Sequence, residues 1–247
     1  MQIRQIDYLY EMGARKNQED YLWPIPGTAS RDDKIFIVCD GVGGSERGEI
    51  ASRLVAEQVG RGLIRMPLPD IGLDVVNDLL EAARRKLVEF ALLRGFNTDM
   101  ATTLALVVLK TDRVLVAWCG DSRVYHLRGH EILFRTGDHS LVDSLIRQGE
   151  LTEVEAREHP QRSLLLKAIR ADDLRPEAEG HWIDDIQDGD YFLLCTDGLL
   201  ENIPDADLLS LLEQNESGAL GLGEALRRYC YNKTHDNYSM YLIQVSA

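Results

Sequence analysis

Apolar residues fall into two rhythms along the chain. KIFIVCD (34–40), TLALVVLK (103–110), RVLVAWCG (113–120), YFLLCTD (191–197) and YSMYLIQV (238–245) are short runs, rich in β-branched and aromatic residues and bounded by turn formers. They predict strands. Only Thr111 and Asp112 separate the second run from the third, which predicts a hairpin and antiparallel pairing. Ile50, Leu54, Val55, Val59 and Leu63 recur at helical spacing, as do Val76, Leu79, Leu80, Ala83, Leu87 and Phe90, so two long amphipathic helices are expected. Residues 205–213 and 218–230 predict two more before the last strand. Hairpins combined with paired helices predict an α+β layered fold rather than a doubly wound parallel sheet.

Between Asp138 and Gly180 the chain is more polar, with short helical pieces in SLVDSLIRQG and TEVEAREH. Thr152 and Glu155 have capping-box spacing, so a short helix is expected to start there. The segment reads as an insertion over one edge. With no repeat, low-complexity tract or Gly/Ser linker, a single domain over 1–247 is expected.

Composition narrows the function. The chain has 247 residues, 45% hydrophobic content and a formal net charge of −14. That charge argues against nucleic-acid partners and anionic membranes, both of which need clustered Lys and Arg. No apolar run has the length to cross a bilayer, and the first residues lack a signal peptide's apolar centre, so a cytoplasmic protein is expected. Cys39, Cys119, Cys195 and Cys230 are isolated from one another and lack zinc or redox spacing. Buried, reduced thiols are expected.

Acids punctuate these runs in a repeated way. CDG at Asp40, CGDS at Asp121, CTDG at Asp197 and HDN at Asp236 each set an aspartate at the end or start of a strand. Taken singly, each is most simply a turn residue. Together they are far apart in sequence, and only the fold could assemble them at one edge. Carboxylates gathered there would repel unless a cation neutralised them, and hard oxygen donors favour Mg²⁺ or Mn²⁺. GARKNQED adds Glu19 and Asp20, with Arg15 four residues before the first of them. A guanidinium beside such a site suits phosphate oxygens, although on its own Arg15 reads as half of a surface ion pair.

RKNQED (15–20), VCDGVGGSERGEIAS (38–52), ATTLALVVL (101–109), WCGDSRVYHLR (118–128), GDHSLV (137–142), LLCTDGL (193–199) and HDNYSMYLI (235–243) follow one another in the order found in a known family. The chain resembles a bacterial metal-dependent Ser/Thr protein phosphatase of the protein phosphatase 2C family over nearly its whole length. The resemblance implies a four-layer α-β-β-α sandwich of two antiparallel sheets flanked by helix pairs, with a flap at 138–180. It implies that Asp40 bridges two Mn²⁺ or Mg²⁺ ions and that Gly41 ligates one through its carbonyl. Asp197 and Asp236 would complete the first ion's shell, Glu19 and Asp20 would serve the second, and Asp121 would help hold a third, weaker ion. Arg15 falls at the phosphate-binding arginine. The sequence departs from the family in three places: Val42 stands where eukaryotic relatives have histidine, Ala101-Thr102-Thr103 replaces GTT, and Leu166-Lys167 replaces Thr-Arg in the flap.

The implied reaction is hydrolysis of phosphoserine or phosphothreonine monoesters by a water that bridges the ions, with the leaving-group acid unassigned. His139 and His235 each adjoin an acid of the motif, and a structural hydrogen-bond role is expected for both. The implied partners are phosphorylated proteins, including a cognate Ser/Thr kinase or its targets, met by a monomer in signal transduction. Two rival readings are a catalytically weak phosphatase fold that binds phosphoproteins, and a metal-dependent phosphodiesterase or nuclease. Survival of Asp40, Asp197 and Asp236 weighs against the first, and the acidic total weighs against the second. Gly43 and Gly44 are expected to leave room for the backbone beside the site.

Overall fold

A computed structural model describes residues 1–42, 47–96, 100–201, 203–216 and 221–246. Strands β1 (Gln2–Glu11), β2 (Tyr21–Trp23) and β3 (Ile35–Cys39) lead into helices α1 (Gly48–Leu63) and α2 (Leu73–Arg94). There follow β4 (Ala101–Thr102), β5 (Leu104–Leu109), β6 (Val114–Cys119), β7 (Arg123–Arg128) and β8 (Glu131–Arg135). Helices α3 (Leu141–Arg147) and α4 (Glu153–Glu158) precede β9 (Ile169–Arg170), β10 (Glu179–Ile183) and β11 (Tyr191–Cys195). The chain closes with α5 (Asp197–Leu200), α6 (Asp205–Glu216), α7 (Leu222–Cys230) and β12 (Tyr238–Ser246).

Two antiparallel sheets result, ordered β1-β12-β11-β7-β8 and β10-β6-β5-β3-β2. In β3, β5 and β6 every residue is buried, because alternate side chains meet two different layers. Ile35, Ile37 and Cys39 pack against Val55 and Val59 of α1 and Leu80 of α2. Phe36 and Val38 point the other way, onto Phe192, Tyr241 and Ile243 of the facing sheet. Across that sheet, Leu193 and Leu242 meet Leu208 and Leu212 of α6 and Leu226 of α7. The order is helices, sheet, sheet, helices, as the resemblance implies.

The five apolar runs became β3, β5, β6, β11 and β12, and β5 and β6 form the expected hairpin. Of the helix expected over 218–230, Leu222–Cys230 is seen as α7, and residues 218–220 lie outside the described residues. In the polar insertion, Thr152 and Glu155 form the full capping box of α4. Ile169–Arg170 of the insertion pairs with Ala101–Thr102, which stitches it to the entry of β5. The last residues of the 138–180 span already belong to β10. Among the described residues, no helix is long and apolar enough to cross a membrane.

Antiparallel pairing sets where the acids arrive. β3 and β6 both flank β5 in antiparallel register, so both run the same way and end at one edge, just before Asp40 and Asp121. In the other sheet, Cys195 of β11 sits opposite Met240 of β12, and Glu11 of β1 opposite Tyr238. The chain after β11, the chain before β12 and the chain after β1 therefore meet at a common edge.

Candidate metal centre

Asp40 leaves β3 with its backbone clamped on both sides. Its N–H donates to Thr103 Oγ1 at 2.9 Å, and its carbonyl accepts from Thr102 Oγ1 at 2.7 Å and from the Thr103 N–H at 2.9 Å. Thr103 Oγ1 in turn lies 2.6 Å from Ser122 Oγ, next to Asp121. A hydroxyl chain thus links the two loops that carry Asp40 and Asp121. Thr102, Thr103 and Ser122 are almost fully buried. Sequence reasoning did not single them out as site residues, because an isolated hydroxyl in an apolar run carries no chemical signature; the run Thr102-Thr103 ahead of a strand was the available signal.

Gly41 is required by close approach. Its N–H donates to Glu19 O at 3.1 Å, and an added Cβ would collide with the Gly48 backbone and stand 2.7 Å from Glu19 O. Gly43 and Gly44 lie outside the described residues.

The acids converge electrostatically. Burial first, then the charges of Asp20, Asp197 and Asp121, hold the Asp40 carboxyl well above the usual range. Asp197 is raised by burial and then by Asp236 and Asp138, and Asp121 by burial and then by Asp197 and Asp138. The Asp197 side chain is walled by protein yet open to solvent at its surface. The recess is crowded but wet, so water tempers the repulsion there. Asp138, not among the candidate ligands read from the sequence, is held by Arg123 through two 2.6 Å hydrogen bonds.

Asp20 lies deepest, at 2% exposure. Burial foremost, with the Asp197 and Asp236 charges, pushes its carboxyl up to about 8. Oδ2 accepts from Thr196 Oγ1 at 3.1 Å, while Oδ1 has no hydrogen-bond partner among the described residues. Ser239 is near enough to lower the cost of charge on Asp20, yet among the described residues its hydroxyl makes no hydrogen bond of ordinary geometry.

Arg15, Glu19 and Asp236 share the mouth of the recess. Arg15 Nη2 donates to Asp236 Oδ2 at 2.7 Å, and both side chains are partly open to solvent. Asp236 Oδ1 accepts from the Asn237 N–H at 2.8 Å. Burial foremost raises the Glu19 carboxyl, and Glu49 raises it further. His139 behaves as a structural partner: Nδ1 accepts from the Gly120 N–H at 3.1 Å, which leaves the ring proton on Nε2, 3.0 Å from Glu179.

This donor set fits a hard cation. Among the described residues no three His, Cys, Asp or Glu side chains are already drawn into ligand geometry. What is present is a cluster of mutually repelling, oxygen-only side chains, one of which carries a buried acceptor with no partner. Divalent charge would relieve the repulsion and satisfy Asp20 Oδ1 together. Asp20, Asp40, Asp121, Asp197, Asp236 and Glu19 are thus brought to one recess.

The chain is 30% identical over 217 residues to the protein phosphatase PhpP of Streptococcus pneumoniae, a match that covers 84% of each. Its fold matches the crystal structure of the serine/threonine phosphatase Stp1 from Staphylococcus aureus, with TM-score 0.85 and 24% identity over 100% of this chain and 96% of the other. It also matches the catalytic domain of the phosphatase PstP solved in complex with two manganese ions, with TM-score 0.80 and 23% identity over 100% of both. At these identities the two structures speak for the fold. With residues 16–219 matching protein phosphatase 2C, the chain belongs to that family.

Proposed function

We propose that the chain is a metal-dependent Ser/Thr protein phosphatase, which hydrolyses phosphoserine and phosphothreonine monoesters in other proteins. The observation that carries this reading is the recess itself: the charges of Asp20, Asp197 and Asp121 bear on a buried Asp40, beside an Asp20 oxygen that has no hydrogen-bond partner among the described residues. Asp40, Asp197, Asp236 and the Gly41 carbonyl would hold one Mn²⁺ or Mg²⁺, and Asp40, Glu19 and Asp20 a second. Asp121, with Asp138 alongside, would favour a third. When bound, such ions supply acidification of a water and neutralisation of phosphoryl charge.

The chain's own residues do the rest. Arg15 stands at the solvent-open rim, where its planar fork suits two phosphoryl oxygens and orients the ester toward the acids. Thr102 and Thr103 fix the Asp40 backbone, so its carboxylate needs little reorganisation to meet charge. The cysteines take no part: all four are buried, and burial pushes the Cys39 thiol up, away from the thiolate a nucleophile requires. Proteins marked by a cognate Ser/Thr kinase fit as substrates.

Phosphate release from a phosphothreonine peptide tests the reading. Release with Mn²⁺ or Mg²⁺ that stops under a chelator supports it, and no release with either ion contradicts it.

A further inference from the structure

The loop that carries Arg15 leaves β1 at Glu11 and re-enters a strand at Tyr21, with no helix or strand of its own. Residues 12–17 are all exposed, so packing does not hold a guanidinium on one bearing there. Asp236 takes the guanidinium itself, and a second side chain distant in sequence holds the loop backbone beneath it. Asn237 is 3% exposed. Its Nδ2 donates to Met12 O and to Asn17 O, both at 2.9 Å, which closes the loop at its two ends. Its Oδ1 accepts the Glu19 N–H at 2.8 Å.

A primary amide combines two N–H donors and an acceptor in one plane, which neither Asp nor Ser can match. Two carbonyls on one side and an N–H on the other fix which amide atom is which. Neighbouring backbone closes round it: the Ala14 N–H donates to His235 O at 3.2 Å. A Cβ on Gly13, whose φ is 59°, would overlap the Asp236 carbonyl, and one on Gly198 would overlap the Asn237 carbonyl. The 236–237 backbone is wedged between the Arg15 loop and the start of α5, which bears Asp197.

We infer that Asn237 is a positioning residue for phosphate binding: it clasps the 12–17 loop so that Arg15 presents its fork to the substrate, and it seats Glu19 on the same amide. What Arg15 meets rests on the phosphatase reading, whereas the clasp does not. Because Asn237 acts through Arg15, its loss weakens capture of the phosphate more than turnover.

Full-length wild type, Asn237→Ala and Asn237→Asp test this. The Asp variant keeps the acceptor for Glu19 but sets a carboxylate against the Met12 and Asn17 carbonyls. Trypsin cleavage after Arg15 and Lys16, and hydrogen exchange at the Glu19 amide, report the loop without catalysis. In wild type the Glu19 amide is protected although its loop is exposed. Cleavage rises about tenfold in both variants, and Glu19 exchange accelerates in Asn237→Ala more than in Asn237→Asp. With Mn²⁺ and a phosphothreonine peptide, KM rises about tenfold while kcat stays within about twofold, and the effect largely vanishes in an Arg15→Ala background. An unprotected Glu19 amide in wild type, unchanged cleavage in a folded variant, or full additivity with Arg15→Ala overturns the inference. A wild type that releases no phosphate contradicts the phosphatase reading instead, and cleavage and exchange still decide the clasp.

Discussion

Arg15 Nη2 lies 2.7 Å from Asp236 Oδ2, so the cation expected to meet phosphate and an acid expected to meet metal form one ion pair at the mouth of the recess. The pair is partly solvated, and its contribution to stability is small. Its value is placement. Asp236 keeps lone pairs for a cation while it holds the guanidinium over the acids.

Arg15→Ala should therefore leave the thermal midpoint nearly unchanged while kcat/KM for a phosphopeptide falls on the order of a hundredfold, mostly through KM. Arg15→Lys should recover little, because an ammonium cannot fork two oxygens. Steady-state kinetics on both variants check this. Wild-type kinetics in Arg15→Ala would assign the residue to the ion pair alone.

Thr103 is the hinge between two loops, since its hydroxyl accepts the Asp40 N–H and meets Ser122. Thr103→Val keeps the shape and strands a buried N–H, at a cost of about 1–3 kcal/mol. Denaturant melts should register that loss, and the Mn²⁺ concentration for half activity should rise. Thr103→Ser restores the acceptor and should recover both.

Acid titration has a definite sign here. Asp20 is pushed up to about 8, and Asp40, Asp121 and Asp197 are raised with it, all by burial foremost. A raised carboxyl binds more protons folded than unfolded, so its stabilisation is complete below the unfolded value near 4 and is lost as pH rises through the folded one. With divalent ions chelated, the thermal midpoint should fall as pH rises from about 5 to about 8.5. Asp20→Asn should flatten that slope, and Mn²⁺ should stabilise most at the alkaline end, where the carboxylates are free of protons. His126, lowered chiefly by burial, has the opposite sign and loses stability as pH falls below about 6.5. That acid limb should survive in Asp20→Asn. Differential scanning calorimetry across pH checks both limbs.

Legibility followed burial. β3, β5, β6, β11 and β12 were readable because central strands covered on both faces need continuous apolar runs. β1 was not: QIRQIDYLYE is a polar mixture on an edge, and its partner β12 supplies the ladder that propensity does not. β7 and β8 were hidden for a related reason, since Arg123 and Arg128 of β7 and Arg135 of β8 head for ion pairs with Asp138, Asp190 and Asp205 that no local pattern announces. The acids of the recess were legible through repetition and family order. Thr103, Ser122, Asp138 and Asn237 were not, because each matters for what it touches across the fold.

Phosphate release from a phosphothreonine peptide with Mn²⁺, compared between wild type and Asp40→Asn, bears most directly on the two-ion assignment. Wild type should turn over and stop under a chelator, and Asp40→Asn, folded by its circular dichroism, should lose more than about a hundredfold in kcat/KM. Undiminished turnover in Asp40→Asn would contradict the assignment.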